Sequence, residues 1–212
     1  LYYGNPAAPS LNNGDATFLF FDHFDGGSVS STRWTKSGDV TVSGSIASLN
    51  APDEKLTSIP VFGVNTALST RASINTAAWG LVGFGDNNNL AAVYANYPAS
   101  GSLNGLNRVN EVGTQSSFPC GAVTGWNLLE IQRGSASTTY VLNGVAAGSI
   151  SQYLLPGSRP VYTWSQASGQ NIQLDWILIR NFAAIEPSHS SWTPGEPNPI
   201  HFDSFLSNPP SG

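Results

Sequence analysis

The stretch Ile172-Gln173-Leu174-Asp175-Trp176-Ile177-Leu178-Ile179-Arg180-Asn181-Phe182 decides the fold class. Successive side chains of an extended chain point to opposite faces, so Leu174, Trp176 and Leu178 are expected on one face and Asp175, Ile177 and Ile179 on the other. Two largely apolar faces predict a central strand covered on both sides. Asp175 then needs a partner, because a lone carboxylate inside a protein is either costly or pushed towards its neutral form.

Moving outward, extended segments recur between turn residues. They are expected at 17–25, 39–43, 45–49, 66–74, 78–85, 89–97, 105–110, 126–133, 138–143, 145–150, 159–166 and 172–182. In the segment at 126–133, Leu129 and Ile131 share one face while Leu128, Glu130 and Gln132 share the other, as in a strand with one wetter side. Asn143-Gly144 has the composition of a tight hairpin turn, and Asp86-Asn87-Asn88-Asn89 is a second turn former. No window of eleven residues carries a clean helical repeat of apolar positions. About a dozen strands in one chain predict an all-β protein, a two-sheet antiparallel jelly-roll sandwich.

Composition bounds the rest. The 212 residues suffice for one full core or two small ones, and 40% hydrophobic with 11% aromatic residues exclude a disordered chain. Only 10% are charged, the net charge is -5, and Lys36 and Lys55 are the only lysines. Arg33, Arg71, Arg108, Arg133, Arg159 and Arg180 are scattered, so no basic patch exists to neutralise phosphates, and nucleic acid is excluded as a partner class. No apolar run approaches the roughly 18 residues of a membrane span, so membrane insertion is not expected. One cysteine, Cys120, excludes an internal disulfide and a cysteine-based zinc cluster. An opening Leu1 rather than Met reads as a processed chain or a segment of a longer one. Abundant Ser, Thr and Asn with few lysines point to an extracellular or cell-surface location.

Residues 1–16 read as a connecting segment, 17–182 as the jelly-roll domain, and 183–212 as a Pro-rich tail or linker that blocks helix and central strand alike. Within the tail a strand-like segment at 200–206 echoes Phe20-Phe21-Asp22-His23-Phe24, which would permit self-association by strand addition.

Tyr2-Tyr3-Gly4-Asn5-Pro6, Asn13-Gly14-Asp15-Ala16, the Phe20 to Asp25 run, Arg33-Trp34-Thr35 and the Leu174 to Arg180 strand followed by Glu186-Pro187 form a recognisable series. It resembles the concanavalin A-like, laminin-G-like jelly-roll domains of bacterial and archaeal surface proteins that follow a small domain of unknown function ending in a YYGNP run. The resemblance spans roughly residues 1 to 187. It implies two packed antiparallel sheets with the first strand beside the last. It implies glycan binding or adhesion as the commonest role, with a minority of relatives acting as glycoside hydrolases or lyases.

The residues that would do chemistry are sparse. Glycosidases need two carboxylates about 5 to 9.5 Å apart, and laminarinase-like glucanases of this fold carry theirs as Glu-x-Asp-x-x-Glu, which is missing here. Two acids from different strands could still meet. Of the histidines His23, His189 and His201, two lie in the tail, and no Gly-x-Ser-x-Gly elbow occurs. Cys120 reads as a small structural thiol. Trp34, Trp126 and Trp176 are expected in the core. Sugar rings stack on aromatic faces flanked by amides, carboxylates or Arg, which selects Tyr94 with Asn96, the cluster Arg108, Asn110 and Glu111, and Tyr162 with Trp164 and Gln166 as carbohydrate contacts. No catalytic residue, cofactor or metal is assigned. If calcium were bound, Asp22, Asp25 and Asp175 would be its ligands. The leading expectation is a non-catalytic extracellular carbohydrate-binding or adhesion module. Beside it stand a structural subunit of a surface filament that pairs through its tail, and a glycoside hydrolase or polysaccharide lyase.

Overall fold

A computed structural model describes residues 14–75, 79–95, 102–111 and 125–182, with the backbone of 115–122. One helical turn, Gly14–Thr17, precedes β1 (Phe20–Asp22), β2 (Trp34–Ser37), β3 (Thr41–Ser43), β4 (Ile46–Leu49) and β5 (Glu54–Phe62). Then come β6 (Thr66–Ile74), β7 (Gly80–Gly85), β8 (Leu90–Ala95), β9 (Ser102–Arg108) and β10 (Gln115–Ala122). The last five are β11 (Trp126–Arg133), β12 (Thr138–Leu142), β13 (Val145–Ile150), β14 (Arg159–Ser165) and β15 (Ile172–Asn181). They form two antiparallel sheets, as the sequence predicted. One has the order β13-β12-β11-β6-β15-β4-β3, with β1 also on β15, and the other runs β10-β9-β8-β7-β14-β5-β2.

β15 is the axis of the first sheet. Along one side it pairs with β6; along the other it takes β4 at Ile172 to Leu174 and β1 at Ile177 to Ile179. Phe20 faces Ile179 and Asp22 faces Ile177, so the opening and closing strands are neighbours. The register of β15 shifts between Leu174 and Trp176. Such a bulge moves every later side chain to the opposite face. Leu174 therefore joins Ile177 and Ile179 in the core, not Trp176 and Leu178 as strict alternation predicted. Trp176 and Trp126, expected in the core, are only half-buried; Arg71 lies over the Trp126 ring at 4.9 Å. Trp34 is buried as expected. The bulged Asp175 meets Arg71 at 2.6 Å, the partner its position called for.

The inner faces of both sheets build one core. Val82, Phe84 and Val161 from the second sheet meet Leu68, Ile131 and Ile179 from the first, each burial contributing about 1.5–3 kcal/mol. At one end Phe20 packs edge-on against Trp34, with centroids 5.1 Å apart. The Trp34 indole N–H donates to Asp22 at 2.6 Å, and the Phe24 N–H donates to the other carboxylate oxygen at 2.8 Å. A smaller apolar cluster, Leu81, Leu90, Ala92, Tyr94, Leu106 and Tyr162, lies on the outer face of the second sheet, with Trp79 and Trp164 against it.

Candidate functional site

The outer face of the seven-stranded sheet carries the side chains suited to a glycan. On β14, Tyr162 and Trp164 alternate with the core residues Val161 and Thr163, and their rings stand 6.3 Å apart. Trp79 and Tyr94 form a second aromatic pair at 5.1 Å. Tyr94 and Tyr162 are 3% and 4% exposed, so their faces are packed against protein, while Trp164 is half-buried with the Lys55 ammonium 5.0 Å above its ring. Cation–π stacking of this kind holds a flexible lysine in place.

Where this face meets the β7–β8 turn, an open hollow of about 440 Å³ is lined by Lys55, Thr57, Gly85, Asp86, Asn87, Asn88, Asn89, Pro160 and Tyr162. The turn is held by its own first residue. Asp86 Oδ1 accepts from the Asn88 and Asn89 N–H groups at 2.8 and 2.9 Å and from the Asn89 amide at 3.2 Å. Its Oδ2 meets Arg159 at 2.9 Å. Burial alone would raise the Asp86 carboxyl, but these hydrogen bonds and the Arg159 charge outweigh it and hold the group below the ordinary carboxylate range. Burial pushes the Tyr162 phenol well above its usual value, with the Asp86 charge adding to the effect. The phenol stays protonated and donates to Asn87 Oδ1. Arg108 reaches the same turn through a hydrogen bond to the Asn87 carbonyl. The Asn110 N–H donates to Asn89 Oδ1 at 3.2 Å, so one amide side chain links Asp86 to the Asn110-Glu111 corner.

Of the residues the sequence selected, Arg108, Asn110 and Tyr162 meet the β7–β8 turn through hydrogen bonds, with Glu111 exposed next to Asn110 in the chain and Trp164 on the strand of Tyr162. Gln166 is exposed at the far end of β14, its N–H bonded to the Trp79 carbonyl. Asn96 and the tail segment 200–206 lie outside the described residues. Lys55, Asn87 and Asn89 were not selected. The run of three asparagines after an acid was legible as a turn, but that it faces Tyr162 depends on the pairing of β7 with β14.

Several other described acids have protein partners. Glu54 caps three backbone N–H groups, of Asp39, Asn50 and Ala51. Glu130 accepts from Ser69 and Arg180. The three acids named for calcium are each engaged separately: Asp22 with Phe24 and Trp34, Asp25 with His23 at 2.9 Å, Asp175 with Arg71. Among the described residues no three His, Cys, Asp or Glu side chains are grouped as a metal site, and no helix is long and apolar enough to cross a membrane.

Residues 1–37 match a family described as a domain of unknown function, DUF2341, so the match runs through β1 and β2. No curated protein matches the sequence significantly. Solved structures do. A β-1,3-glucanase from Mycobacterium marinum shares 15% identity with a TM-score of 0.59, over 76% of this chain and 98% of its own. A glycosyl hydrolase family 16 protein from Mycobacterium smegmatis shares 15% at 0.59, over 76% and 99%. A protein of Mycobacterium tuberculosis described as an immunostimulatory antigen and pseudo β-1,3-glucanase shares 16% at 0.58, over 78% and 99%. At such identities the likeness is one of fold, the concanavalin A-like jelly roll. It corrects the leading functional expectation: similar sandwiches carry glucanase and glycosyl hydrolase names, which favours the glycoside hydrolase alternative over a non-catalytic binding or adhesion module.

Proposed function

We propose that this chain is an extracellular glycoside hydrolase that cleaves a β-linked glucan held at the open hollow beside the β7–β8 turn. The observation that carries the reading is the rim around the hollow, where Asp86, Asn89 and the Asn110-Glu111 corner are joined by hydrogen bonds beside Lys55, Trp164 and Tyr162. In this reading Asp86, held ionised by Asn88, Asn89 and Arg159, is the carboxylate that stabilises positive charge at the anomeric carbon or activates water. Glu111, exposed and next to Asn110 in the chain, delivers the proton to the leaving oxygen. The exposed part of the half-buried Trp164 faces a sugar ring, and Asn87 and Asn110 offer amide and peptide groups to its hydroxyls. The separation of the two carboxyl groups sets the stereochemical outcome, retention near 5 Å and inversion at roughly 6.5–9.5 Å.

The test is release of reducing ends from β-1,3-glucan, mixed-linkage β-glucan and cellulose oligosaccharides. The expected result is cleavage of at least one of them, reduced about 10²–10⁴-fold by Glu111→Gln, as for loss of a general acid. Intact substrates throughout, or full activity in both Asp86→Asn and Glu111→Gln, would overturn the proposal.

A further inference from the structure

A second polar group of side chains lies inside the sandwich, independent of the glycan reading. Thr163 and Ser165 are 0% exposed and Gln170 is 1% exposed, yet Thr163 Oγ1, Ser165 Oγ and both amide atoms of Gln170 have no hydrogen-bond partner among the described residues. Thr163 and Ser165 share the inward face of β14 with Val161. Ser165 stands opposite Gly80 in the ladder and Thr163 opposite Val82. Gln170, in the β14–β15 turn, folds back over Gly80: a Cβ there would sit 2.4 Å from its Nε2. Directly opposed Cβ positions in an antiparallel pair are about 4.5–5.5 Å apart, so the Gln170 amide lies beside the Ser165 hydroxyl with Thr163 two residues along.

Four orphaned polar atoms along one inward face are not a stable arrangement. Each unsatisfied buried group costs about 1–3 kcal/mol, and the great majority of such groups in folded proteins are paired with protein or with ordered water. We propose that this interior site binds water. The donor set selects the ligand. Gln170 Nε2 needs an acceptor, Gln170 Oε1 needs a donor, and the two hydroxyls serve as either. A bare cation would satisfy the oxygens and be repelled by the amide N–H, whereas water both gives and accepts. A buried water commonly makes about three hydrogen bonds, and interiors hold on the order of one per 27 residues. Gly80 has a specific part in this: any side chain at that position would occupy the space of the Gln170 amide.

Water-contact NMR on the full chain labelled with ¹⁵N tests the site. The Gln170 side-chain amide protons are expected to show cross-peaks to water with the sign of a long-lived, protein-bound molecule, at a strength an exposed amide such as that of Gln166 does not reach. A crystal structure near 1.5 Å should place water within hydrogen-bond distance of at least two of the four atoms. Absence of the cross-peaks with a dry site in the crystal, a cation in that place, or a protein group bonded to the Gln170 amide would overturn it. These wild-type measurements stand whether or not Gln170→Leu folds.

Discussion

The guanidinium of Arg133 lies 4.8 Å over the ring of Phe84, joining a cation on the eight-stranded sheet to an aromatic on the seven-stranded one. Arg133 is 1% exposed and donates to the carbonyls of Phe62 at 3.0 Å, Leu155 at 3.1 Å and Gly157 at 2.9 Å, with a longer contact to Gly63. Burial pushes its pKa down to about 10, with the nearby Arg159 charge acting the same way. It therefore remains a cation at neutral pH, neutralised by peptide dipoles and the ring quadrupole instead of a carboxylate.

Replacing it leaves carbonyls buried without donors. Arg133→Met is expected to lower unfolding free energy by roughly 2–4 kcal/mol, since each orphaned buried group costs about 1–3 kcal/mol and part of the loop at 155–157 can rehydrate. Denaturant unfolding measures it; a change below about 0.5 kcal/mol, the scale of an ordinary surface substitution, would show that the clasp is not structural.

Asp22 joins the first strand to the core through the Trp34 indole and the Phe24 N–H. Asp22→Ala strands a buried indole donor and is expected to cost about 2 kcal/mol. Asp22→Asn keeps an acceptor oxygen and is expected to lose less. Thermal unfolding of the pair of variants checks the order.

Acid acts on the β7–β8 turn. The folded-state pKa of Asp86 is depressed, so its contribution to stability is complete above the unfolded value of 3.8 and is lost as pH falls through the lower folded value. Asp86→Asn is expected to remove that part of the acid dependence while leaving stability at pH 7 lower than wild type. Parallel unfolding curves between pH 7 and pH 2 measure it; an unchanged acid limb in the variant would contradict the assignment.

Gly83, opposite Tyr162 on the site face, packs tightly against β8. A Cβ there would lie 2.3 Å from the Ala91 carbonyl oxygen, and the opposing atoms are backbone. Gly83→Ala is expected to destabilise by about 1–3 kcal/mol, the usual cost of overpacking, and to shift the neighbouring Tyr162. Chemical shifts of the Asn87 and Tyr162 amides report the local displacement.

The sequence made the sandwich legible because β11 alternates cleanly and β15 is apolar on both faces, and because Asn143-Gly144 forms a hairpin turn with both residues at positive φ, 51° and 79°. Three strands were missed for physical reasons. β5 contains Pro60 and β10 contains Pro119, and both lie at or beside register shifts in their ladders. Proline at a bulge removes a donor that the ladder does not need there, yet in sequence it reads as a strand breaker. Three of the four residues of β2 are exposed, so it carries little hydrophobic signal. The bulge at Asp175 is equally silent, which is why Trp176 was placed on the wrong face. The site was legible only in parts: Arg108, Asn110, Glu111 and Tyr162 stand out by type, but the meeting of Arg108, Asn110 and Tyr162 at the Asp86 turn depends on β8 lying between β7 and β9 and on β14 pairing with β7.

The most direct measurement is a crystal structure of the Glu111→Gln variant soaked with a β-1,3-gluco-oligosaccharide. The account predicts a sugar chain in the hollow beside the β7–β8 turn, with a glycosidic oxygen within hydrogen-bond distance of residue 111 and Asp86 on the far side of the same ring. Saccharide bound only on the eight-stranded sheet, or none at concentrations that saturate known glucanases, would contradict it.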